Sequence, residues 1–253
     1  MTIVFIGDIH RNWDKVERGI AALDRLPKAA ILLGDIECTA PLDELAAPLL
    51  DRGIAVHWIF GNHDNDGGAE MWHNLAEPER NPRTRDGALH GRVTEIQGLR
   101  IAGLGGTFRP RVWSPPTPAR LRRRVELPDD LASLGAAYGH AQREALAHSL
   151  STAAIWPEDV EALADQKADI LVTHEAPSSH GAGKETLDRL ARDMGARLVV
   201  HGHHHVTYRA TSDDGLRVMG VAAAWGATID GDVLWNGEKP RPIHSFPDGW
   251  SPP

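Results

Sequence analysis

Five short polar motifs divide this chain, and each comes directly after an apolar, β-branched run of the kind that forms a buried strand. They are Gly7-Asp8-Ile9-His10, Gly34-Asp35, Gly61-Asn62-His63-Asp64, Thr173-His174 and Gly202-His203-His204-His205. Each motif therefore places Asp, Asn or His just past a strand end. Donors of these types arriving from one strand-rich core predict a metal site that holds more than one ion.

The first third of the sequence alternates strand and helix patterns. Apolar runs predict strands over residues 2–6, 29–33 and 54–60. Helical periodicity covers residues 14–26 and, with an interruption at Pro48, residues 43–50. Strands and helices that alternate in this way predict right-handed crossovers and a parallel sheet.

The rest of the chain is less regular. A hairpin-like pair and later strands are predicted over residues 92–96, 100–104, 169–172, 197–200, 206–210, 216–222 and 232–235. Helices are predicted over residues 141–150, 157–166 and 185–194, the last with Gly195 as its cap. With an Arg- and Pro-rich insertion around 105–128 and a C-terminal surface tail, 237–253, we expect one domain spanning residues 1–253.

Composition and charge narrow the classes of function. The chain has 253 residues, is 42% hydrophobic and carries a formal net charge of −8, which gives no strong signal for nucleic-acid binding. Cys38 is the single cysteine, so no disulfide can form within the chain. No apolar stretch approaches the roughly 18 residues needed to cross a bilayer, and no secretory pattern precedes the first strand. We therefore expect no membrane association and a cytoplasmic location.

Spacing within the motifs suits shared coordination of a metal. Asp8 and His10 are two residues apart, so both can reach one ion from a strand end. His203 and His205 repeat that spacing. The two oxygens of the Asp35 carboxylate can bridge two ions. A mixture of carboxylate and imidazole donors suits Mn²⁺, Fe or Zn²⁺ better than Ca²⁺.

The order of these motifs resembles that of the calcineurin-like metallophosphoesterase superfamily, from Asp-x-His through Gly-Asn-His-Asp to Gly-His-x-His between residues 7 and 205. The resemblance implies an α/β fold, a four-layer α/β/β/α sandwich of two mixed sheets flanked by helices. It also implies two divalent metal ions, Mn²⁺ first and Fe or Zn²⁺ as alternatives. One ion would be held by Asp8, His10, Asp35 and His205, and the other by Asp35, Asn62, His174 and His203.

The resemblance also implies a reaction. His63 matches the histidine that assists the leaving group in the family, where it can donate a proton or stabilise charge. Asp64 could orient that imidazole, with a helix N-cap as the alternative role. In the implied mechanism a metal-bridging hydroxide attacks phosphorus in line, and the leaving oxygen departs on the opposite side.

Several residues keep two interpretations. Arg11 stands where many relatives have Gly, and it is either a clamp for a substrate phosphate or a surface arginine. His180 is a rival to His174 as a metal ligand, and His201 and His204 either support the ligands or are structural. The six arginines between residues 109 and 124 either select substrate or lie in a solvated loop.

We expect a hydrolase that acts on a phosphodiester or phosphomonoester, with small and nucleotide-like substrates foremost. A protein Ser/Thr phosphatase or a nuclease is the alternative within hydrolases. The segment Gly34-Asp35-Ile36-Glu37 lacks the Asp-Arg of phosphoprotein phosphatases, and Asp64 replaces their usual Glu. The negative net charge disfavours a nuclease of duplexes. A non-catalytic scaffold with the same fold is the third interpretation, although such a protein would typically lose the ligands or the catalytic histidine.

Overall fold

Two facing sheets organise the protein. A computed structural model describes residues 3–135, 138–243 and 245–252. The strands are β1 (Ile3–Ile6), β2 (Ala29–Leu32), β3 (Ala55–Trp58), β4 (Val93–Ile96), β5 (Leu99–Leu104), β6 (Ile170–Thr173), β7 (Leu198–His201), β8 (Tyr208–Ser212), β9 (Arg217–Gly220), β10 (Gly226–Ala227), β11 (Val233–Trp235) and β12 (Trp250–Ser251). The helices are α1 (Trp13–Ala21), α2 (Leu42–Leu45), α3 (Ala47–Leu50), α4 (Ala69–Ala76), α5 (Leu127–Ala132), α6 (His140–Ala153), α7 (Pro157–Ala164) and α8 (Glu185–Met194).

Both sheets are mixed. The first has the order β11-β10-β1-β2-β3, in which β1, β2 and β3 are parallel and β10 and β11 are antiparallel additions. The second has the order β12-β8-β9-β7-β6-β5-β4, with β5, β6, β7 and β9 parallel. The parallel sheet expected from the first third of the sequence is confirmed for β1 to β3, and the remaining strands make each sheet mixed.

Side-chain alternation along the strands creates the layers. Phe5 of β1 packs into a cluster with Val172 of β6 and Val200 of β7, which fills the space between the sheets. The next residue, Ile6, points the other way and packs with Ile20 of α1. On the second sheet, the outer face packs against α7 and α8. The helix–sheet–sheet–helix order predicted from the resemblance is confirmed.

Individual elements follow their sequence patterns closely where one face is buried. Helix α8 occupies the predicted residues, and Gly195 caps it with a φ of 75°. Helix α1 ends at Ala21, earlier than predicted, and its buried residues are Val16, Gly19 and Ile20. The tail also differs from the prediction, since Trp250 belongs to an edge strand that pairs with β8. Within the described residues, no helix is both long and apolar enough to cross a membrane.

Candidate metal centre

The polar motifs meet where the parallel strands of both sheets end. The loop after β1 is tied to the loop after β2, because the His10 N–H donates to the Asp35 carbonyl at 2.8 Å. The two sheets are tied together by the His203 N–H, which donates to Asp8 Oδ1 at 2.8 Å. This convergence brings donors from five separate loops to one place, as the motifs predict.

Two groups of donors face each other there. Asp8, His10 and His205 form one group, in which the donor atoms lie within 4.8 Å of one another. The second group, under the same limit, is formed by Asp35, His174 and His203. In the first group the Nε2 atoms of His10 and His205 approach to 3.0 Å.

Asp35 and Asn62 complete the geometry. Asp35 Oδ2 lies 3.3 Å from His174 Nε2 in its own group and 3.8 Å from His10 Nε2 in the other. Asn62 Oδ1 lies 3.2 Å from His174 Nε2. A single carboxylate oxygen therefore reaches both donor groups, and the amide oxygen belongs beside the second one.

The hydrogen bonds around the donors fit a site for cations. Asp8 Oδ2 is buried and has no hydrogen-bond partner, which is costly unless a cation completes its surroundings. His174 Nδ1 bonds to the Leu33 carbonyl at 2.7 Å, and His10 Nδ1 bonds to Glu37 Oε1 at 2.6 Å. Both contacts leave Nε2 of the ring facing the other donors, the arrangement that supports metal-binding histidines in proteins.

The charges of the side chains in the site are also consistent with binding of cations. Burial lowers the pKa of His203 to about 3 and that of His205 to about 4, so both imidazoles are neutral at pH 7 and keep a lone pair for a metal. Burial also opposes protonation of His174, but Asp35 and Asp8 outweigh it and raise the pKa of this imidazole to about 10. The carboxylates thus attract positive charge into the site.

Backbone conformation is strained around the donors. In the described part of the chain, eight non-glycine residues have positive φ, and six of them belong to the site: His10, Arg11, Asp35, Glu37, His203 and His205. Such conformations are uncommon for side chains with a Cβ, and they concentrate where function requires a particular geometry. Gly61 shows the accompanying close approach, since a Cβ there would lie 2.2 Å from Asp35 Oδ1.

His63 lies beside the two groups, and its carboxylate partner differs from the prediction. The ring atom Nδ1 of His63 contacts Asp66 Oδ2 at 2.6 Å. The backbone N–H of His63 donates to Asp35 Oδ1 at 2.8 Å. The Asp64 carboxylate is engaged elsewhere, because it accepts the backbone N–H groups of Ile36, Glu37 and Gly61, each at 2.7 Å. The predicted contact between Asp64 and His63 is therefore wrong, and Asp64 instead fastens two ligand-bearing loops together.

Glu37 is a site residue that the sequence did not reveal. Its two carboxylate oxygens hold His10 and Arg11, the latter through Arg11 Nε at 2.8 Å. Arg11 remains 56% exposed at the edge of the site, with a φ of 66°. This φ lies in the left-handed region, which glycine adopts more readily than a residue with a Cβ. The only signal for Glu37 was its place two residues after Asp35.

The remaining histidines separate into supporting and structural roles. His180 stacks on His204 with ring centroids 4.0 Å apart, and neither belongs to the two donor groups that contain His10 or His174. His204 Nε2 lies 3.4 Å from Glu175 Oε1. The buried His201 bonds through Nε2 to the Tyr208 hydroxyl at 2.8 Å, which is a structural contact.

Most arginines of the insertion are committed to ion pairs. Arg111 and Arg120 share the Asp130 carboxylate, each at 2.7 Å. Arg122 pairs with Glu161, and Arg124 pairs with Glu158 and Asp159. These pairs attach the insertion to α5 and α7, so four of its six arginines have a structural explanation.

Several known proteins are similar to this chain over most of its length. A Haemophilus influenzae protein described as uncharacterized is 36% identical over 238 residues, which cover 92% of this chain and 96% of the relative. A solved structure from Thermus thermophilus has a TM-score of 0.54 at 13% identity and covers 91% of this chain and 96% of its own. A dimetal phosphatase from Danio rerio has a TM-score of 0.54 at 11% identity, with 90% and 92% coverage. At these identities the two structures show the fold alone. The model of the family described as calcineurin-like phosphoesterase matches residues 1–207, and the chain is therefore a member of that family.

Proposed function

We propose that this protein hydrolyses a phosphodiester or phosphomonoester, small or nucleotide-like, by in-line attack of water at a centre of two divalent metal ions. The observation that carries the proposal is the position of Asp35 Oδ2 between two donor groups, 3.3 Å from His174 Nε2 and 3.8 Å from His10 Nε2. A carboxylate oxygen placed in this way is suited to bridging two cations, which is the arrangement of two-metal phosphoesterase chemistry.

Seven residues would hold the ions. Asp8, His10, Asp35 and His205 would surround one, and Asp35, Asn62, His174 and His203 the other, with Mn²⁺ the first candidate and Fe or Zn²⁺ the alternatives. The unpartnered Oδ2 of Asp8 and the neutral imidazoles of His203 and His205 support this assignment. When bound, such a pair would make water nucleophilic at neutral pH and offset charge on the phosphoryl oxygens.

The protein's own groups would supply the proton and the orientation. His63 would donate a proton to the departing oxygen. Burial alone would lower its pKa, but the hydrogen bond that the His63 ring donates to Asp66 and the charge of Asp35 outweigh burial and raise it. This shift keeps the imidazole protonated closer to neutral pH. Arg11, exposed at the edge of the site, would exchange part of its contact with Glu37 for a substrate phosphate oxygen.

Hydrolysis of two chromogenic esters tests the proposal. Bis-p-nitrophenyl phosphate and p-nitrophenyl phosphate would be given to protein treated with a chelator and to the same protein after Mn²⁺ is restored. We expect cleavage only after restoration, with the diester identifying a phosphodiesterase and the monoester alone a phosphatase. Absence of cleavage of either ester, in protein shown to hold two metals, would contradict the proposal for simple esters and favour the scaffold.

A further inference from the structure

The chain returns to the candidate metal centre after its last strand in the first sheet. Strand β11 ends at Trp235, and the backbone N–H of Arg241 then donates to the carbonyl of His205 at 2.7 Å. We propose that Arg241 binds an anionic phosphoryl group next to the phosphate that is hydrolysed, so that the substrate carries a second phosphoryl group. This inference rests on the proposed function, and it concerns a residue that lies beyond the five motifs.

Residues 237–243, the C-terminal strap, are fixed to the body of the protein. The Glu238 N–H donates to the Ala223 carbonyl at 2.8 Å, and the Glu238 side chain pairs with Lys15 of α1. The indole Nε1 of Trp225 donates to the Glu238 carbonyl at 2.6 Å. At Gly237 a Cβ would lie 2.2 Å from the Ala223 carbonyl oxygen, so this close approach of two backbones requires glycine. The strap is therefore packed on the loop that follows β9.

That loop touches the first motif directly. The Ala224 N–H donates to the carbonyl of Gly7 at 2.9 Å and to that of Asp8 at 3.1 Å. Ala224 has a φ of 58°, which is uncommon for a residue with a Cβ. Backbone strain of this kind concentrates at functional sites. The strap thus rests on the same backbone that positions Asp8, a candidate ligand of the first ion.

The sequence of the strap holds Arg241 in a restricted backbone between Pro240 and Pro242. Proline fixes its own φ, and it restricts the residue before it to extended conformations. Little backbone freedom is then lost when Arg241 binds a ligand, which favours binding. The Arg241 side chain is exposed, and within the described residues no carboxylate lies within 4.0 Å of it. Its charge is therefore available to an anion.

The charge of Arg241 is felt at the first donor group. Burial, followed by the charges of His10 and Arg241, lowers the pKa of His205. The Nε2 atoms of His10 and His205 are 3.0 Å apart. Arg11 follows His10 in the chain and pairs with Glu37 at 2.8 Å, whereas Arg241 is bonded to the backbone of His205. Two arginines from distant segments thus flank the same two imidazoles, and only Arg11 is neutralised by a carboxylate.

The position of Arg241 favours a group beside the reacting phosphate over the reacting phosphate itself. The reacting phosphate has to lie between the two donor groups, where both ions would contact it. Arg241 is attached to the backbone of His205, outside the donor atoms, and its side chain is exposed. A guanidinium there can bind two oxygens of a neighbouring phosphoryl group with its planar fork. Diphosphates, and esters that carry a second phosphate, are the substrates with this chemistry.

Isothermal titration calorimetry of the Zn²⁺-loaded protein tests the proposal with two probes. Methylenediphosphonate has two phosphonate groups joined through carbon and cannot be hydrolysed, and methylphosphonate has one such group. We expect wild type to bind the diphosphonate more tightly. Arg241→Gln should lower the ratio of the two association constants about tenfold, as expected for loss of a charge-assisted contact. Arg241→Lys keeps the charge without the planar fork and should lower the ratio less. Elemental analysis after each titration measures the metal content of the complex.

Arg217→Gln is the matched control for net charge. Arg217 is also exposed, but it begins β9 and pairs with Leu198 at the start of β7, at the opposite end of these strands from His203. This variant should keep the wild-type ratio. Equal binding of both probes by wild type, or a wild-type ratio in Arg241→Gln, would overturn the proposal. An equal fall in Arg217→Gln would also overturn it, because net charge would then explain the effect.

Hydrolysis of the chromogenic esters decides the proposed function separately, because the calorimetry needs no turnover. Cleavage of the esters together with an unchanged ratio in Arg241→Gln would overturn only the role of Arg241. Absence of cleavage together with an about tenfold lower ratio in Arg241→Gln would support the binding site for a second phosphoryl group and contradict hydrolysis.

Discussion

His63 and Asp66 form a pair whose role can be separated from metal binding. We expect His63→Ala to retain both metals and to lower turnover about 10²-fold, as for loss of a general acid. Asp66→Asn removes the hydrogen bond at 2.6 Å that helps to raise the pKa of His63. Since the acid must be protonated, activity falls as pH rises through this pKa. The fall should therefore begin at lower pH in Asp66→Asn, because the hydrogen bond to Asp66 is one of the contacts that raise this pKa.

Turnover measured across pH checks this prediction. Asp169→Asn is a suitable control, because Asp169 precedes β6 and lies at the opposite end of that strand from His174. An alkaline limb that does not move in Asp66→Asn would remove Asp66 from the positioning of His63. Unchanged turnover in His63→Ala would remove His63 itself from the mechanism.

Asp35 is the residue on which occupancy of both metal positions depends. Asn at this position keeps one carbonyl oxygen and loses the charge and the second acceptor, so it cannot bridge two cations as a carboxylate does. We expect Asp35→Asn to lose at least one metal ion per chain, as measured by elemental analysis of protein that circular dichroism shows to be folded. Two ions per chain in this variant would contradict the bridging role.

At the scale of elements, the start of α7 is held by one carboxylate, that of Asp159, which is 11% exposed. Asp159 accepts from Arg124 at 2.7 and 2.8 Å and from the Trp156 N–H at 3.3 Å. Burial alone would raise its pKa, but the hydrogen bonds from His90 and Arg124 outweigh burial and lower the pKa to about 2. These contacts join α7 to the insertion and to the loop before β4.

Acid should weaken the contacts between Asp159 and its partners over a defined range of pH. The pKa of Asp159 in the folded state lies below its ordinary value of 3.8. Its ionised form therefore contributes fully to the free energy of unfolding above about pH 4, and this contribution is lost as pH falls towards 2. The shift corresponds to about 2 kcal/mol. We expect Asp159→Asn to lower the free energy of unfolding in urea by at least that amount at pH 7, with a smaller difference near pH 3.

Glu161→Gln provides the control on the same helix, since its exposed pair with Arg122 should contribute only about 0–1 kcal/mol. Two outcomes would contradict this prediction: an equal loss of free energy of unfolding in both variants, or a difference for Asp159→Asn that is independent of pH. Either would show that the pair of Asp159 with Arg124 does not stabilise the start of α7.

Elements with a strong local pattern were predictable, and those that depend on distant partners were not. Helix α8 has a clear apolar face and a glycine cap, and both were visible in the sequence. Strand β10 consists of Gly226 and Ala227 and exists because it pairs with β1, more than 200 residues away. Helices α4 and α5 were missed because they are short and lie in segments rich in Gly or Pro.

At the scale of the whole molecule, the candidate site was also predictable from the sequence only in part. The positions of its seven donors followed from motif order, because each motif ends a strand and parallel strands end together. The choice between Asp64 and Asp66 did not follow from spacing. It depends on the N–H groups of Ile36 and Glu37, from another loop, which occupy the Asp64 carboxylate. Such long-range contacts leave no local signal.

Both sheets contribute to the candidate metal centre, so metal binding should stabilise the whole fold. Asp8 and Asp35 follow strands of the first sheet, whereas His174 and His203 follow strands of the second. Unfolding separates these donors, and a ligand that binds only the folded state stabilises it by about 2.7 kcal/mol at a hundredfold excess over its dissociation constant. For a chain of this size, that corresponds to a rise in Tm of about 5–10 °C.

Scanning calorimetry of Mn²⁺-loaded and chelator-treated protein measures this rise directly. We expect Asp35→Asn to show a smaller metal-dependent rise than wild type, because it binds fewer ions across the two sheets. Arg192→Gln should show the full rise, since Arg192 lies on α8 and pairs with Asp214 rather than with any donor. Equal Tm values for loaded and chelator-treated wild type, at saturating Mn²⁺, would contradict a centre that joins the sheets. Equal metal-dependent rises in wild type and Asp35→Asn would show that the stabilising ions bind elsewhere.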